Sequence, residues 1–297
     1  MYYRDLLDIW LEEKKLEIRN SSYRNYLHVI RVTIKPYIKE IDIKEIDRKY
    51  IQDFIIYLSG KNKKETVKNV TKVLSQSFKY AVYNNYIAKN PYIDIKIPQG
   101  GELKEIKVFK PDEINKLLSN DNIAQVKKDM ITLGFRTGMR IGEVLALKWE
   151  DINLDCGFLT VRRTLSGYIN GKPELSECKT KYSNRRIELD KATIDMLQRR
   201  LKENVKNHEY VFTKKDGRIY SRQGMRLRNM CKQVGIDPRS FHALRHTHAS
   251  ILLANGIHPK IVQERLGHAK ISTTLDIYSH LIPSMQMVAV NVFNNIK

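Results

Sequence analysis

Four stretches of helical periodicity fill roughly the first ninety residues and constrain the fold more than any other feature of the chain. In each stretch, apolar residues recur at three- and four-residue spacing, which places them on one face of a helix. The four apolar stripes include Trp10, Tyr26, Phe54 and Phe78. We expect the second helix to end at Pro36, because proline interrupts the hydrogen bonding of a helix interior. Residues 1–95 are therefore predicted to form a small helical bundle.

A change in composition separates this bundle from the rest of the chain. Residues 96–106 contain Pro98 and the pair Gly100–Gly101 and show no helical stripe, so they are predicted to be a linker. After the linker, helical segments flank a region between 157 and 190 that alternates like antiparallel strands. Helical periodicity then returns and continues through 242–281. The predicted fold class is mainly α with a small antiparallel β-sheet, an α+β arrangement.

The charge balance predicts a polyanionic partner. The 297 residues include 53 Lys and Arg against 33 Asp and Glu, a formal net charge of +20. This excess favours nucleic acid over an anionic membrane surface or the ribosome. Apolar runs such as Ile251 to Ala254 are far shorter than the about 18 residues that span a bilayer, and the N-terminus lacks a secretion signal. The 3 cysteines are odd in number and widely spaced, which favours a reducing cytoplasm over a disulfide framework or a cysteine zinc site.

The segment SFHALRHTHAS is the first candidate for chemistry. His242 and Arg245 lie at i and i+3 on a predicted helix, so both can reach one anion, and a phosphate suits this pair. His242 and His246 also resemble half of a zinc-protease helix, but Ala243 stands where such enzymes need a glutamate base. No metal site is therefore predicted. The alternative for the pair is structural, with His242 capping the helix and Arg245 in a salt bridge.

The segment FRTGMRIGEVLALKW is the second candidate. Gly138 allows a break, and Arg140 follows at the start of a helix, where backbone N–H groups also favour an anion. Glu143 comes three residues later and could orient the Arg140 guanidinium. The alternative is an ordinary surface ion pair beside a glycine turn.

Two further segments complete the set of candidates. In ECKTKYSNRRIEL, four basic residues crowd a turn of the sheet region, and a turn can push one lysine deep into a groove. Lys179 is singled out for that role. The alternative for the others, Lys181, Arg185 and Arg186, is a solvated hairpin that grips the DNA backbone. In ERLGHAKISTTLDIYSHL, His268 follows a glycine and Tyr278 comes ten residues later.

Taken in order, TGMRIGE, the lysine of a sheet turn, HALRH, LGH and TTLDIYSH strongly resemble the catalytic half of the tyrosine recombinase family, the integrases of phages and conjugative transposons. The resemblance covers 107–281 as a catalytic domain, and residues 1–95 look like the helical, SAM-like core-binding domain of that family. It implies that Arg140 and Arg245 clamp the scissile phosphate and that Tyr278 is the nucleophile. Lys179 would be the general acid, with Lys181 as the alternative two residues away.

The resemblance also implies roles for the remaining site residues. His242 would take part in proton transfer with Tyr278, His268 would donate to a non-bridging phosphate oxygen, and Glu143 would support the site. The reaction would proceed through a 3′-phosphotyrosine bond with no metal, ATP or other cofactor. The residues expected to contact DNA are Lys61, Lys63, Lys64, Lys181, Arg185 and Arg186.

The expected partner is double-stranded DNA at recombination sites, bound by a homo-tetramer. Residues 282–297 carry a helical apolar stripe and are predicted to be exchanged between protomers, the alternative being a tail packed on its own domain. A directionality factor is a candidate partner, and whether an arm-binding domain precedes the core-binding helices is left open. The rival functions are a non-catalytic DNA-binding relative and a type IB topoisomerase-like strand transferase.

Overall fold

The chain divides into two compact units, Met1–Lys104 and Glu105–Lys297. The computed structural model describes residues 1–98, 107–169, 171–177, 183–204 and 208–279, the last four without their side chains. The division falls within the predicted linker 96–106. In the described residues no helix is long and apolar enough to cross a bilayer.

Unit 1 is helical, as the periodicity predicts. Its helices are α1 (Tyr3–Lys14), α2 (Asn20–Val29), α3 (Lys35–Ile38), α4 (Arg48–Lys61) and α5 (Lys64–Tyr83). The predicted end of the second helix at Pro36 is wrong. A π-helical turn, Ile30–Ile34, leads directly into α3, and Pro36 lies in the first turn of α3. Proline is tolerated at such a position because its missing N–H is not needed there.

The four apolar stripes of unit 1 meet in one core. The helix α5 packs against α1, α2 and α4. Tyr3 stacks on Phe78 with ring centroids 4.4 Å apart, and its hydroxyl lies 2.7 Å from Ser77 Oγ, so its polar atom is satisfied although the side chain is buried. Trp10 and Tyr26 stack at 5.8 Å in the same cluster. The bundle predicted from the sequence is present.

Unit 2 combines helices with short strands, and the α+β prediction is confirmed. Its helices are α6 (Pro111–Ser119), α7 (Gln125–Thr137), α8 (Ile141–Leu145), α9 (Lys191–Glu203), α10 (Leu227–Gln233), α11 (His242–Ala254), α12 (Pro259–Leu266) and α13 (Ser272–Ser279). Its strands are β1 (Ile152–Asn153), β2 (Phe158–Val161), β3 (Arg163–Ile169), β4 (Lys172–Glu177) and β5 (Arg185–Glu188).

The strands form two antiparallel sheets where the sequence predicts one. In the described residues, β1, β2 and β5 make a three-stranded sheet and β3 pairs with β4 as a separate hairpin. In the first sheet Leu159 lies opposite Ile187 and Val161 opposite Arg185. This register fixes which side chains of β5 face the interior, because neighbouring residues of a strand point to opposite faces.

Two glycines let the elements of unit 2 approach each other closely. Gly138 has φ +68° and ends α7 in the left-handed conformation, so the chain turns back toward α8. Gly142 lies in α8, where an added Cβ would come 2.8 Å from the Leu165 carbonyl oxygen of β3. Helix α11 packs against α7, α12 and α13, so it is the central helix of this part of unit 2.

Candidate active site

Arg245 is the most deeply buried arginine of the described chain, at 1% exposure. It lies one turn after His242 on α11, and its guanidinium donates to the carbonyl oxygens of Gly138 at 2.8 Å and Leu266 at 2.6 Å. These carbonyls end α7 and α12, and helix C-termini carry partial negative charge. In the described part of the chain, Arg245 has no carboxylate partner and its Nε has no acceptor. The predicted alternative, a salt bridge, is therefore not formed there.

Arg140 is the N-cap residue of α8 and lies two residues after the turn made by Gly138. It donates through Nη1 to Glu143 Oε1 at 2.7 Å, and its backbone N–H donates to Glu143 Oε2 at 2.9 Å. Its Nη2 lies 3.4 Å from the carbonyl oxygen of Gly267. The Arg140 side chain is 37% exposed, whereas the Glu143 side chain is 4% exposed. The predicted pair is thus formed, but its acid is in the interior rather than on the surface.

Glu143 also binds a second arginine from a distant part of the sequence. Arg185 donates through Nη2 to Oε2 at 2.8 Å and through Nη1 to Oε1 at 3.3 Å. Burial raises the pKa of the Glu143 carboxyl, but the Arg185 and Arg140 cations outweigh burial and lower the pKa to about 2. Glu143 is therefore ionised at neutral pH and neutralises one of its two partners.

The prediction that Arg185 lies on a solvated hairpin is corrected by its burial. The burial of β5 alternates, so Arg185 faces inward while Arg186 faces solvent. Arg186 lies 3.6 Å from the centroid of the Phe158 ring and pairs with Glu188 at 2.7 Å. The sequence shows two adjacent arginines, and their different burial follows from the strand register. Arg186 remains a predicted DNA contact.

Three consecutive carbonyls at the end of α12 each accept a hydrogen bond from a different arginine. The Arg265 carbonyl accepts from Arg185 Nε at 2.7 Å, and the next two accept from the two arginines of the predicted clamp. We call these acceptors the carbonyl triad, formed by residues 265, 266 and 267. The last turn of a helix has carbonyls without intrahelical partners, so the triad is a natural acceptor for cations. Through these three hydrogen bonds, the end of α12 contacts side chains from β5, from α11 and from the N-terminus of α8.

His268 follows the carbonyl triad directly and is 8% exposed. Its Nδ1 lies 2.9 Å from Thr274 Oγ1, and its backbone exchanges two hydrogen bonds with Gln263. Burial, followed by the charges of Arg245 and Arg140, lowers the pKa of His268 to about 3. The imidazole is therefore neutral near pH 7. Thr274 and Gln263 were not predicted as site residues, since no local pattern marks them.

The two histidines of α11 lie edge to face, with ring centroids 4.5 Å apart. His242 is exposed at the rim of the site. Partial desolvation by the surrounding protein, followed by His246 and Arg245, lowers the pKa of His242 to about 4. Both rings are next to a buried cation, and His242 is neutral near pH 7.

Several predicted residues lie wholly or partly outside the described residues. Lys179 and Lys181 lie in 178–182, which is outside the described residues. The predicted tail 282–297 is also outside them. Tyr278 lies in α13, which packs against α11 and α12, but its side chain is not described. In unit 1, Lys61, Lys63 and Lys64 are exposed where α4 ends and α5 begins.

Comparison with known proteins gives matches over both units. The model of the phage integrase family matches residues 107–285, and that of the phage integrase N-terminal SAM-like domain matches residues 2–59. The ICEBs1 integrase of Bacillus subtilis is 31% identical, covering 95% of this chain and 79% of the relative. A XerC-like tyrosine recombinase of Caldanaerobacter subterraneus is 32% identical, covering 98% of this chain and 82% of the relative.

Solved structures share the fold at lower identity. The Tn1549 transposon integrase in complex with a circular intermediate DNA superposes with a TM-score of 0.85 at 18% identity, over 99% of both chains. A λ integrase dimer bound to a COC′ core site superposes with a TM-score of 0.72 at 19% identity, over 92% of this chain and 97% of the other.

Proposed function

Because the chain belongs to the phage integrase family of tyrosine recombinases, we propose that it is the integrase of a mobile genetic element, acting through a covalent 3′-phosphotyrosine bond. As a family member it is a site-specific DNA recombinase. The observation that carries the mechanism is the buried Arg245, held by carbonyl oxygens without an ion-pair partner among the described residues. A buried cation needs compensating charge, and a phosphodiester supplies it.

The proposed cleavage step is an in-line displacement at phosphorus. The Tyr278 oxygen attacks, the bond to the 5′-oxygen breaks, and the DNA 3′ end becomes a phosphotyrosine ester. Negative charge develops on the non-bridging oxygens, where the guanidiniums of Arg140 and Arg245 stabilise it. A tyrosine has an ordinary pKa of about 10, so its proton must leave during attack. His242, neutral near pH 7, accepts that proton in this proposal.

His268 is assigned as a neutral hydrogen-bond donor to a non-bridging oxygen. Because its pKa is lowered to about 3, it carries one ring proton throughout the neutral range. The Thr274 hydroxyl can donate to Nδ1, which leaves the proton on Nε2 for the phosphate. Lys179 protonates the leaving 5′-oxygen, with Lys181 as the alternative.

The phosphotyrosine ester conserves the energy of the broken phosphodiester. Attack by a new 5′-hydroxyl on phosphorus releases Tyr278 and joins the strands, so the exchange requires no ATP. Charge stabilisation by two guanidiniums and an imidazole leaves no step that requires a metal ion. We place this reaction in the cytoplasm, on double-stranded DNA at the ends of the element.

A trapping experiment tests the proposal. Wild type and Tyr278→Phe are incubated in EDTA with nicked duplexes that span the element ends, and adducts that survive denaturant are counted. A gel shift on the same duplexes measures binding. We expect an adduct with wild type, none with Tyr278→Phe, and equal binding by both. Binding by wild type without an adduct would instead support a non-catalytic DNA-binding relative.

The assembly is proposed to be a homo-tetramer that exchanges residues 282–297 between protomers. One of the solved structures of similar fold is a λ integrase tetramer bound to a Holliday junction, which supports this proposal. Truncation after Pro283 is expected to leave binding of a single site intact and to abolish the tetramer on paired sites. Tetramer formation by the truncated protein, measured by native mass or light scattering, would contradict the exchange.

A further inference from the structure

Arg185 has a set of contacts that a DNA-binding residue would not need. It is 8% exposed, and its guanidinium donates to both oxygens of Glu143, to the Arg265 carbonyl and to the Ser183 carbonyl. Every nitrogen of the guanidinium therefore has an acceptor inside the protein. Four of its five N–H donors are used in these bonds, so the guanidinium is directed into the protein rather than toward solvent.

The acceptors of Arg185 are the groups that hold the predicted clamp. Glu143 binds Arg140 directly, at 2.7 Å. The Arg265 carbonyl is the first member of the carbonyl triad, and its two neighbours accept from Arg245 and Arg140. One side chain thus reaches both supports of the clamp, although it comes from β5, more than forty residues after Glu143.

We propose that Arg185 is a positioning residue for strand cleavage, which orients Arg140 through Glu143 and holds the carbonyl triad in register with both clamp arginines. This inference rests on the proposed function, since it concerns the same site. Arg185 is not a catalytic residue in this account, because it touches neither the phosphate nor the tyrosine. Its effect passes through the two supports.

Arg185 acts on the site through geometry rather than through its charge. Glu143 supplies one negative charge between two guanidiniums, and a planar fork that donates to both of its oxygens fixes the carboxylate plane. Without Arg185, the carboxylate would lose two hydrogen bonds and could turn away from Arg140. Misplacement of a reacting group by about 1 Å can cost about a hundredfold in rate. Lysine cannot replace this fork, because it acts as a point donor.

The test separates the cleavage step from binding and from folding. Single-turnover cleavage of the nicked duplex is measured at saturating protein for wild type and Arg185→Met, and the Kd is measured by gel shift. The control is Arg200→Met, because Arg200 likewise joins a buried carboxylate, Asp129 at 3.1 Å, to a carbonyl, that of Val211 at 2.9 Å. Both variants lose an arginine that binds a buried carboxylate of the same unit, Arg200 with its side chain 12% exposed, and both are expected to lower the unfolding midpoint.

We expect Arg185→Met to cleave about 10- to 100-fold more slowly at saturation, with a Kd within about threefold of wild type. Arg200→Met is expected to cleave at the wild-type rate. A weaker Kd with an unchanged saturated rate for Arg185→Met would overturn the inference and return Arg185 to the DNA contacts. So would an equal loss of cleavage in the Arg200→Met control, because the effect would then be one of general stability.

A second variant and a double-mutant cycle keep the test decisive if Arg185→Met does not fold. Arg185→Lys retains the charge and is expected to bind DNA normally but to cleave at least about fivefold more slowly. Combined with Glu143→Gln, it should add a smaller loss than it causes alone, since the two changes share the Glu143 contact and, of the two supports, only the contact with the Arg265 carbonyl is left for Arg185→Lys to weaken. Fully additive losses, or a wild-type rate for folded Arg185→Lys, would overturn the inference. Absence of any wild-type adduct would instead remove the proposed function itself.

Discussion

The two units bury different kinds of side chain. In the described residues of unit 1, the buried polar residues are Thr71 and Ser77, and neither is charged. Unit 2 buries charged side chains, which include Glu143, Arg185 and Arg245. Burying a charge is costly unless it is paired or hydrogen-bonded. Unit 1 is therefore a scaffold stabilised by apolar packing. In unit 2, the free-energy cost of burying charge is accepted, and the arginines are held in fixed positions.

This contrast separates two uses of positive charge. Exposed cations such as Lys63 and Arg186 can attract DNA wherever they lie on the surface, because phosphate contacts are electrostatic and largely independent of sequence. A buried arginine such as Arg245 acts at one point, and its orientation is set by its acceptors. We therefore expect substitutions in the two classes to change different quantities.

Arg245→Lys is expected to produce the largest loss of cleavage rate. If it weakened DNA binding instead, the separation between exposed binding cations and buried catalytic arginines would be contradicted. Lysine cannot donate to two carbonyls and to a phosphate in the same plane. By analogy with loss of one oxyanion donor, cleavage at saturating protein should fall about 10²- to 10³-fold. The gel-shift Kd should stay within about threefold. A parallel loss of affinity would place Arg245 among the binding residues.

Glu143→Gln is expected to remove a pH-dependent share of stability. The pKa of Glu143 falls from 4.5 to about 2 on folding, so its contribution is present above pH 4.5 and is lost as pH falls toward 2. The full contribution is about 3 kcal/mol in free energy of unfolding. Urea unfolding between pH 6 and pH 3 should show the gap between wild type and Glu143→Gln narrowing with acid. The exposed Glu264→Gln serves as control, and a gap independent of pH would contradict the assignment.

Thr274→Val is expected to slow cleavage about tenfold. This corresponds to about 1.4 kcal/mol in activation free energy, which is the contribution of about one hydrogen bond. The valine keeps the shape of threonine but cannot donate to His268 Nδ1, so the ring loses its fixed tautomer. Thr274→Ser retains the hydroxyl and should cleave within about twofold of wild type. Equal rates for the valine and serine variants would show that the hydroxyl has no part in cleavage.

The double variant Lys63→Ala, Lys64→Ala is expected to have the smallest effect on chemistry. Its affinity should fall for all DNA sequences alike, and the slope of log Kd against log salt should decrease by about 1 per lysine. The saturated cleavage rate should not change. A changed cleavage rate at saturation would contradict this separation, because it would give unit 1 a role in the reaction.

The sequence predicts unit 1 better than unit 2, and the reason is physical. An apolar helix face has a period that a local window reveals, and the four stripes of unit 1 meet as expected. The error at Pro36 arose because a π turn let the helix continue. In unit 2, the α11 pair of His242 and Arg245 and the α8 pair of Arg140 and Glu143 are local, so spacing was enough to group them.

The supports of the site could not be predicted in that way. Arg185 meets Glu143 across 42 positions of sequence, and its inward direction depends on the register of β5 with β2. The carbonyl triad consists of backbone atoms, which leave no residue signature. Thr274 is one of several small polar residues before Tyr278, and the fold alone brings its hydroxyl to His268.

The most direct test of the central claim is to identify the residue that carries DNA in the trapped adduct. Trypsin should release residues 271–297 as one peptide, because no Lys or Arg lies between Lys270 and Lys297, and its one tyrosine is Tyr278. After nuclease digestion, mass spectrometry should find a nucleotide phosphate on this peptide, at Tyr278. A nucleotide on any other peptide, or DNA bound without a covalent link, would contradict the claim that unit 2 positions its buried arginines for attack by this tyrosine.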